Sequence, residues 1–252
     1  VLARRMHHHL ARRGAEWPLE DIAEVVSSAD IAMTNLETSV ASRGDMHPKE
    51  NRNPYYFRGR PELLGMLTSA GFDVVTTANN HSMDYGAEAL LQQRELLDQV
   101  GIAYSGTGKN LDEARRPAYV KTGDLTVAFV SLYVGTGKMD ATGSVAGAFQ
   151  VENFRDVVKA VRPVYEEARR HANVVVFSPH WGANGTENPT REQREVAHEL
   201  IDLGFDGIIG HSAHQLHGIE IYRDRPIIYD MGNLLSDWIN DRIRKSAGFL
   251  LE

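Results

Sequence analysis

Four short segments place metal-ligand side chains at the ends of apolar, β-branched runs: Asn35-Leu36-Glu37, Ala78-Asn79-Asn80-His81, Ser178-Pro179-His180-Trp181-Gly182 and Gly210-His211-Ser212-Ala213-His214. Carboxylate, amide oxygen and imidazole together suit borderline or hard divalent ions, Mn, Zn or Fe first and Ca or Mg after them, held singly or as a pair. Such an ion is a Lewis acid toward a carbonyl or phosphoryl oxygen and lowers the pKa of a bound water or of a substrate proton. Any one segment alone is an ordinary strand-to-loop junction, because polar residues gather in loops. The signal is the same arrangement four times over. Strands that point the same way in a parallel sheet deliver their C-terminal loops to one rim, so Asn35, Glu37, Asn80, His180, His211 and His214 are expected to converge there.

The elements that would position them alternate between apolar strands and amphipathic helices, the pattern of an α/β fold with helices over a central sheet. Glu20 to Ser28 reads as a helix before a strand at Ile31 to Thr34. Pro61 at a helix start and Gly71 past its end bound a helix over Glu62 to Ala70, followed by a strand at Phe72 to Thr77. Gly86 to Gln99 is a helix, Ile102 to Tyr104 a short strand, and Val127 to Leu132 a longer one entered through a hairpin turn at Lys121 to Leu125. Phe154 to Ala172 is a long helix leading to a strand at Asn173 to Phe177. Thr190 with Gln193 makes a capping box for a helix over Arg191 to Leu203 closed by Gly204, and Phe205 to Ile209 is the next strand. Ile219 to Tyr222 and Pro226 to Tyr229 form a hairpin about Arg223-Asp224-Arg225 and empty into Asp230-Met231-Gly232-Asn233.

The 252 residues suit one domain with a sizeable core, 42% of them being hydrophobic. Cysteine is absent, which excludes thiolate metal sites, thiol catalysis and disulfides, so any metal must be held by nitrogen and oxygen. A net charge of -7 argues against a nucleic-acid partner, which calls for an extended basic face. No apolar run reaches the roughly 18 residues that span a bilayer, and the opening Val1-Leu2-Ala3-Arg4-Arg5-Met6 is too short for a signal-peptide core. The chain as it stands is expected to be soluble and cytoplasmic, or anchored outside the cytoplasm if its native N-terminus is longer.

These motifs and their order resemble the CapA family of poly-γ-glutamate capsule proteins, which share the calcineurin-like metallophosphoesterase fold. The resemblance runs from about Asp30 to Asp237 and includes Tyr229-Asp230-Met231-Gly232-Asn233. It implies that Glu37, Asn80, His180, His211 and His214 occupy metal-ligand positions. It also implies that His81, with His180, is catalytic, His81 hydrogen-bonding the reacting group. The family's opening strand, which ends in Gly-Asp, has no counterpart here. The chain is therefore expected to begin just downstream of that strand, the alternative being that Asp30 or Glu37 takes over its carboxylate. Ser212-Ala213 stands where many relatives have His-Pro.

Further features invite a function. Asn53-Pro54-Tyr55-Tyr56-Phe57-Arg58-Gly59 combines aromatics with a guanidinium, so Tyr56 and Arg58 are candidates for a substrate wall with a carboxylate clamp, equally readable as a loop pinned to the core. Asn35 and Trp181, beside the ligand positions, are further candidate substrate contacts. His7-His8-His9 cannot all face one ion and reads as the start of a helix. Gly106-Thr107-Gly108-Lys109-Asn110 lacks Walker spacing and reads as a turn, and His198 as a surface residue. Three functions remain open: an enzyme hydrolysing or transferring a peptide or polyglutamyl chain, a metal-dependent peptide epimerase as found with lasso-peptide biosynthesis, and a catalytically silent polymer-binding subunit of a capsule export assembly.

Overall fold

The computed structural model describes residues 6–14, 17–49, 54–137, 139–235 and 247–249. The first half builds helices α1 (Met6–Arg13), α2 (Glu20–Ser28), α3 (Leu64–Ala70) and α4 (Gly86–Val100) around a small parallel sheet. That sheet has the order β1 (Met33–Asn35), β2 (Val74–Thr76), β3 (Ala103–Ser105). Gly71 and Gly101 end α3 and α4 at φ 90° and 75°, a left-handed backbone that glycine adopts without steric cost. Pro61 opens a single 3-10 turn over Pro61–Leu63 ahead of α3, so the α-helix begins two residues later than its periodicity suggests.

The second half builds α5 (Leu111–Ala114), β4 (Ala118–Thr122), β5 (Leu125–Val134), β6 (Gln150–Val151), α6 (Phe154–His171) and β7 (Val174–Trp181). It continues through α7 (Arg191–Leu203), β8 (Gly207–Ile209), β9 (His211–Ser212), β10 (Ile219–Tyr222) and β11 (Arg225–Ile228). The larger sheet has the order β6-β5-β7-β8-β11-β10, with β4 against β5 and β9 against β7. Its centre, β5-β7-β8-β11, is parallel, and the hairpins β4-β5 and β10-β11 are antiparallel. The capping box at Thr190 and Gln193 forms as expected. Arg223 and Asp224 both adopt positive φ, as a tight two-residue hairpin turn requires.

The larger sheet is buried on both faces. Val130, Leu132, Val175, Phe177 and Trp181 face α6 and α7, against Val157, Val161, Val164, Ala197 and Leu200. Phe129, Val176, Ile209 and Ile228 face the small sheet and meet Val74. Because side chains alternate along a strand, the same period that buries Trp181 among the helices turns Ser178 and His180 toward the small sheet. Strand β7 runs four residues past its expected end. Its pairing passes from β8 at Phe177 to β9 at His180, which leaves Pro179, with no N–H to donate, at the gap between partners on that side.

The backbone N–H and C=O groups of Met33 and Asn35 point to the side of β1 away from β2, since Ala32 O and Leu36 N–H are the groups that bond the β2 segment. Along that edge runs a groove of about 1170 Å³, floored by Val127, Phe129, Val174 and Val176 and reaching Glu37 and His214. Among the described residues no helix is long and apolar enough to cross a membrane.

Candidate functional site

Glu37 is 6% exposed, and its Oε1 has no hydrogen-bond partner. Nε2 of His214 stands 3.6 Å from that oxygen, and Nε2 of His81 and of His180 stand 4.0 Å from it. Each of these imidazoles has its other nitrogen engaged. His81 Nδ1 lies 2.7 Å from Asp84 Oδ2, His214 Nδ1 2.8 Å from Asn233 Oδ1, and His180 Nδ1 2.7 Å from His211 Nδ1. Partners at Nδ1 fix ring orientation and leave Nε2 for the centre, the arrangement that ligand histidines use.

The folding reasons are local. Glu37 follows the end of β1, where Asn79 Nδ2 donates to Leu36 O at 3.0 Å and to Asn35 Oδ1 at 3.3 Å, joining the ends of β1 and β2. His81 sits in the turn after β2, its N–H donating to Asn79 Oδ1 at 3.0 Å and its ring lying 4.2 Å from that of Phe57. His180 and His211 are register partners on β7 and β9. His214 adopts φ 59° and Ser212 φ 124°, strained values for residues with a Cβ. Asp230 holds that loop by accepting the Ala213 N–H at 2.6 Å.

Burial, and then the neighbouring His211, His214 and His81, hold His180 well below its ordinary value; burial likewise takes His211 down to about 3. Both rings are therefore neutral and carry lone pairs at physiological pH. Burial pushes the Asp230 carboxyl up to about 7, against the opposing N–H groups of Gly232 and Ala213. Tyr133 is raised by burial and by the charge of Glu37.

Glu37, His81, His180 and His214 are thus brought together. His211 stands one step back, its Nε2 lying 3.3 Å from Thr76 Oγ1 and 3.2 Å from Ser178 Oγ. Asn80 adjoins the cluster through His81, and its Oδ1 is buried without a partner. The four expected substrate contacts fare differently. Asn35 is at the rim. Trp181 is 0% exposed, its Nε1 donating to Tyr229 O at 3.0 Å, so it is a core residue rather than a substrate contact, because the alternation along β7 turns it toward the helices. Tyr56 donates to His47 O at 2.9 Å. The Arg58 guanidinium lies 3.7 Å over the Tyr85 ring and donates to Gly44 O, which pins the 43–45 loop. Asn53 lies outside the described residues, as do the side chains of His7, His8 and His9. His198 is half-buried rather than exposed, 2.7 Å from Glu220 and stacked on Tyr222.

Among the described residues no three His, Asp or Glu side chains close into a formed ion shell. The donors point at one oxygen without contracting about one point. Two observations nevertheless fit a divalent ion: Glu37 Oε1 and Asn80 Oδ1 are buried acceptors without donors, a costly state unless a positive group satisfies them, and the nearby imidazoles expose lone pairs. The residues available to it are Glu37, Asn80, His81, His180 and His214.

Sequence reasoning missed Lys49, Asp84, Tyr133 and Asn233. Asp84 is 0% exposed, pairs with Lys49, and carries His81. Its place three residues after His81 was the available signal. Asn233 closes the strand-end run from Tyr229 to Asn233 that was recognised without a role for it, and Lys49 arrives from a distant loop and leaves no signal.

Comparison with known proteins agrees with the motifs. The family Bacterial capsule synthesis protein PGA_cap matches residues 1–238. The chain belongs to this family. It is 27% identical over 252 residues to the PGA biosynthesis protein CapA of Bacillus subtilis, covering 98% of this chain and 64% of that protein. It is 30% identical over 235 residues to a probable polyglutamine synthesis accessory protein of Mycobacterium tuberculosis, covering 88% of this chain and 60% of that one. It therefore spans under two thirds of the length of these relatives. Among solved structures, a hypothetical protein from Thermus thermophilus aligns with TM-score 0.54 and 19% identity over 88% of this chain and 72% of that one. A phosphatase from Mycoplasma pneumoniae aligns with TM-score 0.50 and 14% identity over 88% and 68%. The α/β architecture with flanking helices is the fold shared with these two structures.

Proposed function

We propose that the chain is a divalent-metal-dependent enzyme that hydrolyses or transfers a poly-γ-glutamyl chain, in the service of capsule polymer synthesis. The observation that carries this reading is Glu37 Oε1, buried, without a donor, and faced by three imidazole Nε2 atoms at 3.6 to 4.0 Å. A divalent ion bound there supplies Lewis acidity toward the scissile carbonyl oxygen and makes water a stronger nucleophile at neutral pH. Glu37, Asn80, His180 and His214 would hold it, with His211 orienting His180. His81, its Nδ1 held by Asp84, would take a proton at Nε2 from the attacking water and pass it to the leaving nitrogen. The names of the relatives, a PGA biosynthesis protein and a probable polyglutamine synthesis accessory protein, support the substrate class.

The test uses a γ-glutamyl pentamer and mass spectrometry of the products. Turnover is expected to vanish on chelation and return with Mn. Glu37→Gln and His214→Ala should each lose most of the metal found by elemental analysis while keeping the circular dichroism spectrum. Full metal content in both variants rejects the site. In deuterated water the product should carry no deuterium at Cα; its incorporation would replace hydrolysis with epimerisation. The word accessory in a relative's name favours one other reading, a polymer-binding subunit. Pentamer binding that survives chelation, without turnover under any condition, would establish that reading instead.

A further inference from the structure

Tyr133 belongs to the same rim, and nothing in the site described so far uses it. It is the register partner of His180 on β5, as His211 is on β9, so three adjacent strands present Tyr133, His180 and His211 side by side. Its ring meets that of His180 edge-on at 5.7 Å and packs against Ala78, Met83, Leu90 and Met139, so the aromatic body is fixed and 8% exposed. The hydroxyl is another matter. Tyr229 gives its proton to Glu220 at 2.8 Å, Tyr56 to His47 O at 2.9 Å and Tyr104 to Asp98 at 3.2 Å, whereas the Tyr133 hydroxyl has no partner among the described residues. Buried tyrosines ordinarily find a partner for the O–H, and ring packing alone would be served equally by phenylalanine. The phenol tip lies over Gly135, where a Cβ would come within 2.3 Å of the hydroxyl oxygen, so the glycine keeps this position open.

We propose that the Tyr133 hydroxyl is a substrate contact, donating a hydrogen bond to the oxygen of the group held beside Glu37 and His180, which under the function proposed above is the γ-glutamyl carbonyl. A phenol is neutral at physiological pH, so the group is available as a donor. A donor placed where negative charge develops contributes more in the transition state than in the ground state.

Two variants test it on the Mn-loaded full chain. Tyr133→Phe removes the hydroxyl alone, and Gly135→Ala displaces the phenol tip without touching Tyr133 or the cluster. Calorimetry with inorganic phosphate, an oxyanion that is not turned over, should show affinity weaker by about tenfold or more in Tyr133→Phe and a change of the same sign in Gly135→Ala. With the γ-glutamyl pentamer, kcat should fall about 10- to 100-fold in Tyr133→Phe while KM stays within about threefold, with Mn content and melting temperature unchanged. Unchanged phosphate affinity in Tyr133→Phe overturns the proposal, as does wild type that binds no phosphate, or a fall in Mn content or melting temperature that accounts for the lost activity. A phosphate effect in a protein with no turnover keeps Tyr133 as a ligand contact and removes only the hydrolytic reading.

Discussion

Asp84→Ala should damage stability and chemistry together, because one fully buried carboxylate has three partners. It pairs with Lys49, accepts from His81 Nδ1 at 2.7 Å and accepts the Phe57 N–H at 2.6 Å. Removing one partner of a buried ion pair costs about 3–5 kcal/mol, since the other charge stays uncompensated. Lys49, with its side chain 14% exposed, keeps Tyr55 O at 3.0 Å and Asn80 O at 3.3 Å as acceptors, which places the loss at the lower end, about 3 kcal/mol. In a chain of this size that corresponds to a melting temperature lower by about 6–12 °C. His81 also loses the group that fixes its tautomer, so turnover of the γ-glutamyl pentamer should fall by at least about tenfold at temperatures where the variant is folded. The assay is urea unfolding of Asp84→Ala, Lys49→Met and the double variant, with a coupling of at least about 1 kcal/mol expected between neighbours sharing a buried pair. A single-variant cost below about 1 kcal/mol with no coupling would refute the reasoning, because the carboxylate would then be dispensable to the loop around it.

Trp181→Ala should cost about 3–5 kcal/mol in urea unfolding, the range for emptying a large buried aromatic site; a near-zero cost would return Trp181 to the substrate contacts. Glu113 is held down to about 2 by the hydrogen bond from Lys109, against burial and with help from Arg94. A depressed carboxyl contributes stability that is complete above its ordinary 4.5 and lost as pH falls toward 2, so Glu113→Gln should flatten the acid limb of stability between those values and leave the neutral plateau's slope unchanged. An acid limb as steep as the wild type would put that pH dependence elsewhere.

What could be read before folding and what could not divide along a physical line. Capping at Thr190 and Gln193, glycine stops at Gly71 and Gly101, and the strands that precede Glu37, His81 and His214 are local: each is written in residues a few places apart, and each forms. Alternation was available too. Applied through β7, a period of two separates His180 from Trp181, and the assignment of Trp181 to substrate fails because the strand, expected to stop at Phe177, runs on to Trp181. The Lys49 and Asp84 pair and the contact of His214 with Asn233 join loops 35 and 19 residues apart, and only the closed fold brings them together. Tyr133 lies between these cases. Its apolar strand was legible, and its place beside His180 follows once β5 and β7 pair in parallel, but the register depends on the whole sheet. A ligand residue at a strand end announces itself by type, whereas a residue that serves it from the neighbouring strand is recognisable only by position. The rim of such a sheet is therefore best searched by carrying each recognised histidine across the ladder to its partners, a procedure that leads from His180 to His211 on one side and to Tyr133 on the other.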